Sequence, residues 1–282
     1  VRRFAPLPAI AFSLALLFPL NFVMIAILGR FGEFVQVRFA LMGLFTFISF
    51  VVIPWLIARH QRVNATSGFG LAMPRAVFLL GAVILGVSLW PIVMSMISLW
   101  HDLYATIAGA ESTEQWRERL VELSSEQVEI IRTLPPLSIL IAFSVIPAIC
   151  EEWFFRGFLL RGLLNRMSRW RAIIISAVLF GLFHTLSGSV VAFDRLIPTI
   201  AIGIILGYVC YKSNSIVPGV VLHMLHNGIV VFLAYYEPQL RQFDWFPSDG
   251  EVPYSWMFVA LVPAVIGMFV VARPAHTPMV KE

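Results

Sequence analysis

Eight long apolar runs constrain this chain more than any other feature of its sequence. They cover about 7–29, 40–58, 76–100, 137–156, 172–188, 196–211, 215–236 and 254–272. An α-helix needs roughly 20 apolar residues to cross the hydrocarbon core of a bilayer, and these runs are close to that length. Because every backbone polar group must be paired in lipid, we expect each run to be helical. The sequence therefore predicts an all-α, polytopic membrane helix bundle with about eight transmembrane helices.

The composition excludes the common classes of soluble protein. Of the 282 residues, 59% are hydrophobic and only 13% are charged, which is about half the charged share of an ordinary soluble domain. This balance excludes an ordinary cytosolic enzyme, a disordered chain and a nucleic-acid-binding protein. Because the apolar runs follow one another closely, residues 1–282 are predicted to form a single integral-membrane domain. Cys150 and Cys210 lie inside apolar runs, so we expect buried thiols and not a disulfide framework.

The distribution of charge predicts how the helices are oriented. If eight spans alternate from a cytoplasmic N-terminus, the inside segments hold most of the arginines, including the five between 156 and 171. The outside segment 101–136 has seven acids against three arginines. This arrangement satisfies the positive-inside rule and predicts cytoplasmic termini in a bacterial inner membrane. The first run has no clear cleavage site, so we expect a retained helix and not a signal peptide.

The segment 101–136 contains a helical pattern that is too polar to span a membrane. Apolar residues between Trp116 and Leu134 recur at steps of three and four, or multiples of them. Ser112 and Gln115 have the spacing of a capping box. We expect an amphipathic helix over about 112–134 that lies on the outer surface or folds back over the bundle. A substrate gate is the alternative role for this segment.

Ionisable side chains inside the apolar runs are concentrated in three of them. A charge at the centre of a bilayer costs roughly 2.5–3.5 kcal/mol on insertion scales, so each such residue needs a partner or a function. In the fourth run, Glu151 and Glu152 are adjacent and point about 100° apart on a helix. Glu152 and Arg156 have the i, i+4 spacing of an ion pair, which leaves Glu151 free to face another helix. Pro147 predicts a kink that opens space beside Glu151.

The fifth and seventh runs contribute imidazoles and an amide. His184 follows Phe180 by one turn in the fifth run. In the seventh run, His223 and Asn227 share a helix face, and His226 lies at the edge of that face. A lone histidine on an apolar helix is usually a hydrogen-bonded core residue. Three polar groups within two turns of a spanning helix favour a functional site instead.

A carboxylate, imidazoles and an amide from three helices suit two hydrolytic mechanisms. In the first, Glu151 and His184 activate a water for attack on a peptide carbonyl. His223 and Asn227 then stabilise the oxyanion. In the second, the same His and Glu side chains bind Zn²⁺, which activates the water. The sequence has no HExxH motif, but ligands from separate helices also bind zinc, so both mechanisms stay open.

Three motifs, each in its own run, resemble the pattern of one known family. They are Glu151-Glu152-x-x-x-Arg156, Phe180-x-x-x-His184 and His223-x-x-x-Asn227. Their order is similar to that of the CAAX protease and bacteriocin-processing family (CPBP, or Abi), which contains the type II CAAX prenyl endopeptidases. The resemblance covers about 135–236, the motif-bearing core. It implies an eight-helix intramembrane glutamic endopeptidase whose substrate is a peptide or protein, including membrane-associated or lipidated ones.

The resemblance also implies roles for individual residues. Four motif residues would be catalytic: Glu151, His184, His223 and Asn227. Glu151 and His184 would activate the water. His223 and Asn227 would form the oxyanion site. Glu152 and Arg156 would be supporting residues that shape the cavity, and Phe180 and His226 are further candidates. The family is generally taken as metal-independent, so the resemblance implies no cofactor, with zinc as the alternative.

The sequence leaves two classes of function open. The leading hypothesis is an intramembrane endopeptidase that processes CAAX-type or bacteriocin- and immunity-related substrates. The alternative is a non-catalytic membrane protein, such as an immunity or transporter-like protein, that binds a peptide or moves protons. Glu151→Gln distinguishes them, because it abolishes cleavage in the first case and spares function in the second.

Overall fold

The computed structural model describes residues 34–186, 195–243, 246 and 252–273, with scattered helical positions between 11 and 27. All regular elements in these residues are helices, which we number as follows: α1 Val35–His60, α2 Ala65–Phe69, α3 Ala76–Ala108, α4 Ala110–Arg132, α5 Pro136–Leu164, α6 Arg169–Leu186, α7 Leu196–Ser213, α8 Val217–Tyr235, α9 Glu237–Leu240 and α10 Tyr254–Ala272. Most of the predicted first span, 7–29, lies outside the described residues, as do the residues 187–194.

Six of the described helices are long and apolar enough to cross a bilayer, namely α1, α3, α5, α7, α8 and α10. They correspond to six of the eight predicted spans, and α10 has the predicted bounds. The prediction of an all-α membrane bundle is confirmed, and the chain is an integral membrane protein. The predicted fifth span is present as α6, an 18-residue helix that begins with Arg169 and includes Arg171. Its crossing of the bilayer, like that of the first run, stays a prediction.

Two of the spanning helices widen just before a proline. Helix α1 is π-helical at Ile48–Val52, ahead of Pro54, and α5 is π-helical at Ile141–Val145, ahead of Pro147. Proline lacks an N–H, and its ring clashes with the carbonyl four residues earlier. A π-type turn accommodates that displaced carbonyl, so the distortion predicted at Pro147 takes the form of a widened turn. A further π-helical segment, Trp153–Leu160, follows the two glutamates.

Two buried clusters hold the motif-bearing helices in place. The first joins α1, α5 and α6 through aromatic side chains that include Phe50, Phe154, Phe155, Phe158, Phe180 and Phe183. The second joins α3, α7, α8 and α10 through aliphatic side chains that include Leu85, Leu206 and Leu222. In lipid, such packing stabilises mainly through dispersion contacts, because the acyl chains are as apolar as the side chains. The first cluster fixes α5 against α6, and α8 packs directly against α5, so the three motif-bearing helices are held together.

The polar helix predicted before the fourth span is α4, and it packs against α3 and α8. Arg132 at its end donates to the carbonyls of Ala234 at 2.9 Å and Tyr235 at 3.2 Å. These are among the last carbonyls of α8, which lack intrahelical partners. The predicted capping box is wrong, because α4 begins after Gly109 and Ser112 is already inside the helix.

Candidate active site

Glu152 is the centre of a buried polar network that we call the Glu152 network. Its Oε1 accepts a hydrogen bond from Arg156 Nη1 at 2.7 Å, and both side chains are fully buried. The same oxygen lies 3.0 Å from Nδ1 of His223 on α8. Arg156 also donates to the carbonyl of Gly203 at 3.2 Å and lies over the ring of Phe180, 4.4 Å from its centroid. The predicted i, i+4 ion pair is present, and His223 connects it to a second helix.

Close helix packing around the Glu152 network depends on Gly219 of α8. A Cβ atom added there would lie 2.5 Å from Cys210 Sγ and 2.9 Å from Glu152 Oε2. Cys210 Sγ is itself 4.0 Å from that oxygen. Only glycine allows α5, α7 and α8 to approach this closely. Sequence analysis gave Gly219 no role, although its position one turn before His223 places both residues on one helix face.

Glu151 faces a cavity instead of a packed interface. The residue is 7% exposed, and its Oε2 makes no hydrogen bond to the residues that the structure describes. Nε2 of His184 lies 3.5 Å from this oxygen, and Nε2 of His223 lies 3.9 Å from it. Direct N–H···O hydrogen bonds are usually 2.7–3.2 Å long, so both separations leave the oxygen able to bind a further group. The expectation that Glu151 faces other helices agrees with this geometry.

The hydrogen positions on two imidazoles follow from their partners. Nδ1 of His184 is 2.9 Å from the carbonyl of Phe180, one turn earlier on α6. A carbonyl only accepts hydrogen bonds, so this nitrogen carries the hydrogen. Nδ1 of His223 donates to the Glu152 carboxylate by the same argument. Nε2 of each ring is therefore directed toward Glu151, where it either accepts a hydrogen bond or carries a second hydrogen.

A cavity of about 370 Å³ brings the candidate residues together. It is lined by six of them: Glu151, Phe180, His184, His223, His226 and Asn227. The volume is within the range of ligand pockets, roughly 300–1,000 Å³. Most of the remaining wall is apolar, while Arg195 and Thr199 add polar groups that sequence analysis missed because they lie outside the motifs. Glu152 and Arg156 do not line the cavity, in keeping with the predicted supporting role.

Helix α8 presents one face to this cavity. The lining residues of α8 recur at helical spacing: His223, His226, Asn227, Val230 and Val231. Asn227 Nδ2 donates to the carbonyl of Phe143 at 3.4 Å. That carbonyl is four residues before Pro147, so it is the one that the proline deprives of an intrahelical partner. A carboxamide has two N–H groups, and the second N–H of Asn227 is not used by this contact.

The described residues contain no group of three or more His, Cys, Asp or Glu side chains arranged to hold a metal ion. Zinc sites use three or four protein ligands, with nitrogen and oxygen atoms about 2.0–2.2 Å from the ion. In this cavity the possible metal-binding groups that face one another are the Glu151 carboxylate and Nε2 of His184 and of His223. The zinc mechanism would depend on these three groups.

Residues 133–229 match the family model described as type II CAAX prenyl endopeptidase Rce1-like. This match confirms the predicted resemblance to the CAAX protease family. The match includes the four residues predicted to be catalytic, and the family that it describes indicates a protease (hydrolase) that acts on a peptide or protein substrate. No curated protein and no solved structure shows significant similarity to the chain.

Proposed function

We propose that this protein is an intramembrane glutamic endopeptidase in which Glu151 is the general base. The observation that carries the proposal is the buried Oε2 of Glu151, which lacks a hydrogen bond within the described residues and lies beside two imidazoles in a cavity. A buried carboxylate without full pairing is unfavourable for folding. Such a group is expected where proton transfer requires it.

The reaction begins with a water held by Glu151 Oε2 and His184 Nε2. Glu151 removes a proton from this water while the water oxygen attacks the carbonyl carbon of the substrate peptide bond. The resulting tetrahedral intermediate breaks its C–N bond as Glu151 returns the proton to the leaving amine. One water is consumed, and the products are a carboxyl group and an amine. No serine or cysteine nucleophile takes part.

His223 and Asn227 supply the hydrogen bonds to the oxyanion. Because Nδ1 of His223 donates to Glu152, its Nε2 donates only when the ring carries both hydrogens. The positive charges of that ring and of Arg156 then balance the charges of the two glutamates. Removing one oxyanion donor typically raises the barrier by about 2.7–4 kcal/mol. In this scheme Glu152 and Arg156 are positioning residues, since they act through His223.

The proposed substrate is a peptide or protein segment of CAAX type, or one related to bacteriocin processing or immunity. The largely apolar wall of the cavity supports a membrane-associated or lipidated segment. The proposed location is a bacterial inner membrane with both termini in the cytoplasm, which the arginine distribution supports. We further propose a single integral-membrane domain with its catalytic core at about 135–236.

Peptide cleavage by the purified protein tests the general-base role. Detergent-solubilised wild type, Glu151→Gln and the control Glu118→Gln, which changes an exposed glutamate of α4, are each incubated with a peptide library. We expect cleavage by wild type and by the control, and a loss of about 10²–10⁴-fold in Glu151→Gln. Glu151→Gln protein that cleaves as fast as wild type would contradict the proposal and favour the non-catalytic alternative.

Metal analysis separates the two hydrolytic mechanisms. Under the proposed mechanism we expect the active protein to contain far less than one zinc per chain and to keep its activity in a chelator. The zinc mechanism instead requires about one zinc per chain, loss of cleavage on chelation and recovery when zinc is added. Elemental analysis of the same preparation used for cleavage provides the measurement.

A further inference from the structure

The proposed mechanism makes no use of His226. This residue is 5% exposed, lines the cavity and lies one turn after His223. Its Nδ1 is buried and has no hydrogen-bond partner among the residues that the structure describes. In the other two imidazoles of the cavity, Nδ1 has a partner: the Phe180 carbonyl for His184 and Glu152 for His223. Within the described residues, His226 thus differs from both in having an unpaired Nδ1.

A purely structural role would not explain this imidazole. A buried polar group without a partner lowers stability, and an apolar side chain of similar size would avoid the loss. Farther along the same helix face, the cavity is lined by the apolar side chains of Val230 and Val231. An unpaired imidazole at a cavity is explained when a ligand supplies the missing hydrogen bond.

A peptide substrate carries the groups that such an imidazole binds. Each of its residues has an amide N–H and C=O, and these groups need partners when they leave water for a mostly apolar cavity. In the proposed mechanism, Glu151 and His184 hold the water, while His223 and Asn227 bind the oxygen of the reacting carbonyl. The amides beside the scissile bond still need hydrogen bonds. His226 shares the cavity face of α8 with the two oxyanion donors.

We propose that His226 is a substrate-binding residue whose imidazole hydrogen-bonds a main-chain amide group beside the scissile bond. This inference rests on the proposed endopeptidase function and adds the chemistry that is recognised, an extended peptide backbone. A neutral imidazole has one donor and one acceptor nitrogen, so it pairs with either an N–H or a C=O group. Because the contact is with the backbone, it tolerates different substrate side chains at that position.

Two substitutions separate hydrogen bonding from packing. His226→Leu removes the hydrogen-bonding groups, and His226→Gln retains them. The assay uses the full chain in detergent and an internally quenched peptide that wild type cleaves. We expect kcat/KM to fall about tenfold or more in His226→Leu, with a higher KM, and to recover largely in His226→Gln. The melting temperature of His226→Leu should equal or exceed that of wild type, because the substitution removes an unpaired buried group.

Backbone-modified peptides identify the contact. Replacing one amide by an ester removes its N–H and weakens the attached carbonyl as an acceptor, so a series of single replacements scans the backbone. At the position that His226 binds, the ester should slow cleavage by wild type and have little further effect in His226→Leu. Additive losses at every ester position overturn the proposal.

Ser95→Ala is the matched control. Ser95 is also buried with an unpaired side-chain oxygen among the described residues, but it does not line the cavity. We expect its kcat/KM to equal that of wild type. A His226→Leu protein with wild-type kcat/KM, or one whose loss follows only from a lower melting temperature, overturns the assignment to His226 and leaves the endopeptidase proposal intact. Wild type that cleaves no peptide, or undiminished cleavage by Glu151→Gln, overturns both.

Discussion

The adjacent glutamates of α5 differ in what surrounds them more than in how deeply they are buried. Glu152 is fully enclosed, with Arg156 at 2.7 Å and His223 at 3.0 Å from its Oε1. Glu151 is nearly as buried, yet its Oε2 has no hydrogen bond within the described residues and faces a cavity. One residue step rotates a side chain by about 100° around a helix, which turns one acid toward packed helices and the other toward open space. Burial alone therefore does not distinguish the proposed general base from its neighbour, whereas the hydrogen bonds of the two carboxylates do.

His223 links these two environments. Its Nδ1 is bound to Glu152, and its Nε2 is directed toward Glu151 at 3.9 Å. A shift of Glu152 would therefore rotate the ring in the candidate site. Glu152 and Arg156 contribute to the proposed chemistry by holding this imidazole, although neither of them lines the cavity. Support of a reactive group by a second layer of hydrogen bonds is a general requirement of precise sites.

The strongest test of this comparison is to replace Glu151 and Glu152, one at a time, by glutamine. Glu152→Gln leaves the buried Arg156 without its ionic partner, and breaking a buried pair in this way costs about 3–5 kcal/mol. We expect a large drop in melting temperature together with loss of cleavage. Glu151→Gln should change the free energy of unfolding by less than about 1 kcal/mol and still abolish cleavage. Thermal unfolding in detergent, run beside the cleavage assay, measures both effects.

Removing both charges of the pair refines the same test. Arg156→Met alone leaves Glu152 buried with His223 as its remaining basic partner among the described residues, so we expect it to be destabilising as well. The double variant Glu152→Gln/Arg156→Met contains neither unpaired charge and should recover part of the lost stability. Equal stability losses in Glu151→Gln and Glu152→Gln would contradict the division between a reactive and a structural acid.

The helices were predictable because the length of an apolar run is a local property of the sequence. Helix α10 has the predicted bounds, and α8 differs from its prediction by two residues at most. Helix α3 ends at Ala108 instead of residue 100, because a helix continues past its apolar run when the following residues also favour helix. The π-helical turns before Pro54 and Pro147 were not predicted. They depend on how each helix accommodates a displaced carbonyl, which an apolar pattern does not specify.

For the candidate site, spacing within a helix was informative and contacts between helices were not. The i, i+4 rule predicted the Glu152–Arg156 ion pair and the shared face of His223 and Asn227. It could not predict that His223 would bind Glu152, because that contact depends on how α8 packs against α5. The requirement for Gly219 escaped prediction for the same reason, since it arises from three helices that converge on one carboxylate.

Gly219→Ala is a milder test of how tightly the Glu152 network is packed. The added methyl group would lie 2.5 Å from Cys210 Sγ and 2.9 Å from Glu152 Oε2. Overpacking of a buried site typically costs about 1–3 kcal/mol. We expect a fall in unfolding free energy of that size and a lower kcat/KM, because a displaced Glu152 turns His223. Gly228→Ala on the same helix is the matched control, since its methyl group would lie 3.3 Å from Ser144 Oγ and should cause a smaller loss.

Adding Cys210→Ala to Gly219→Ala distinguishes the two collisions that the new methyl group creates. In the double variant Cys210→Ala/Gly219→Ala, the contact with the sulfur is removed, while the contact with the Glu152 carboxylate remains. Recovery of stability without recovery of cleavage would indicate that the methyl group acts on His223 through Glu152. Recovery of both would assign the whole effect to packing against the sulfur. Wild-type stability and cleavage in the single variant Gly219→Ala would contradict the close approach of the three helices, and with it the idea that the Glu152 network holds His223 in place.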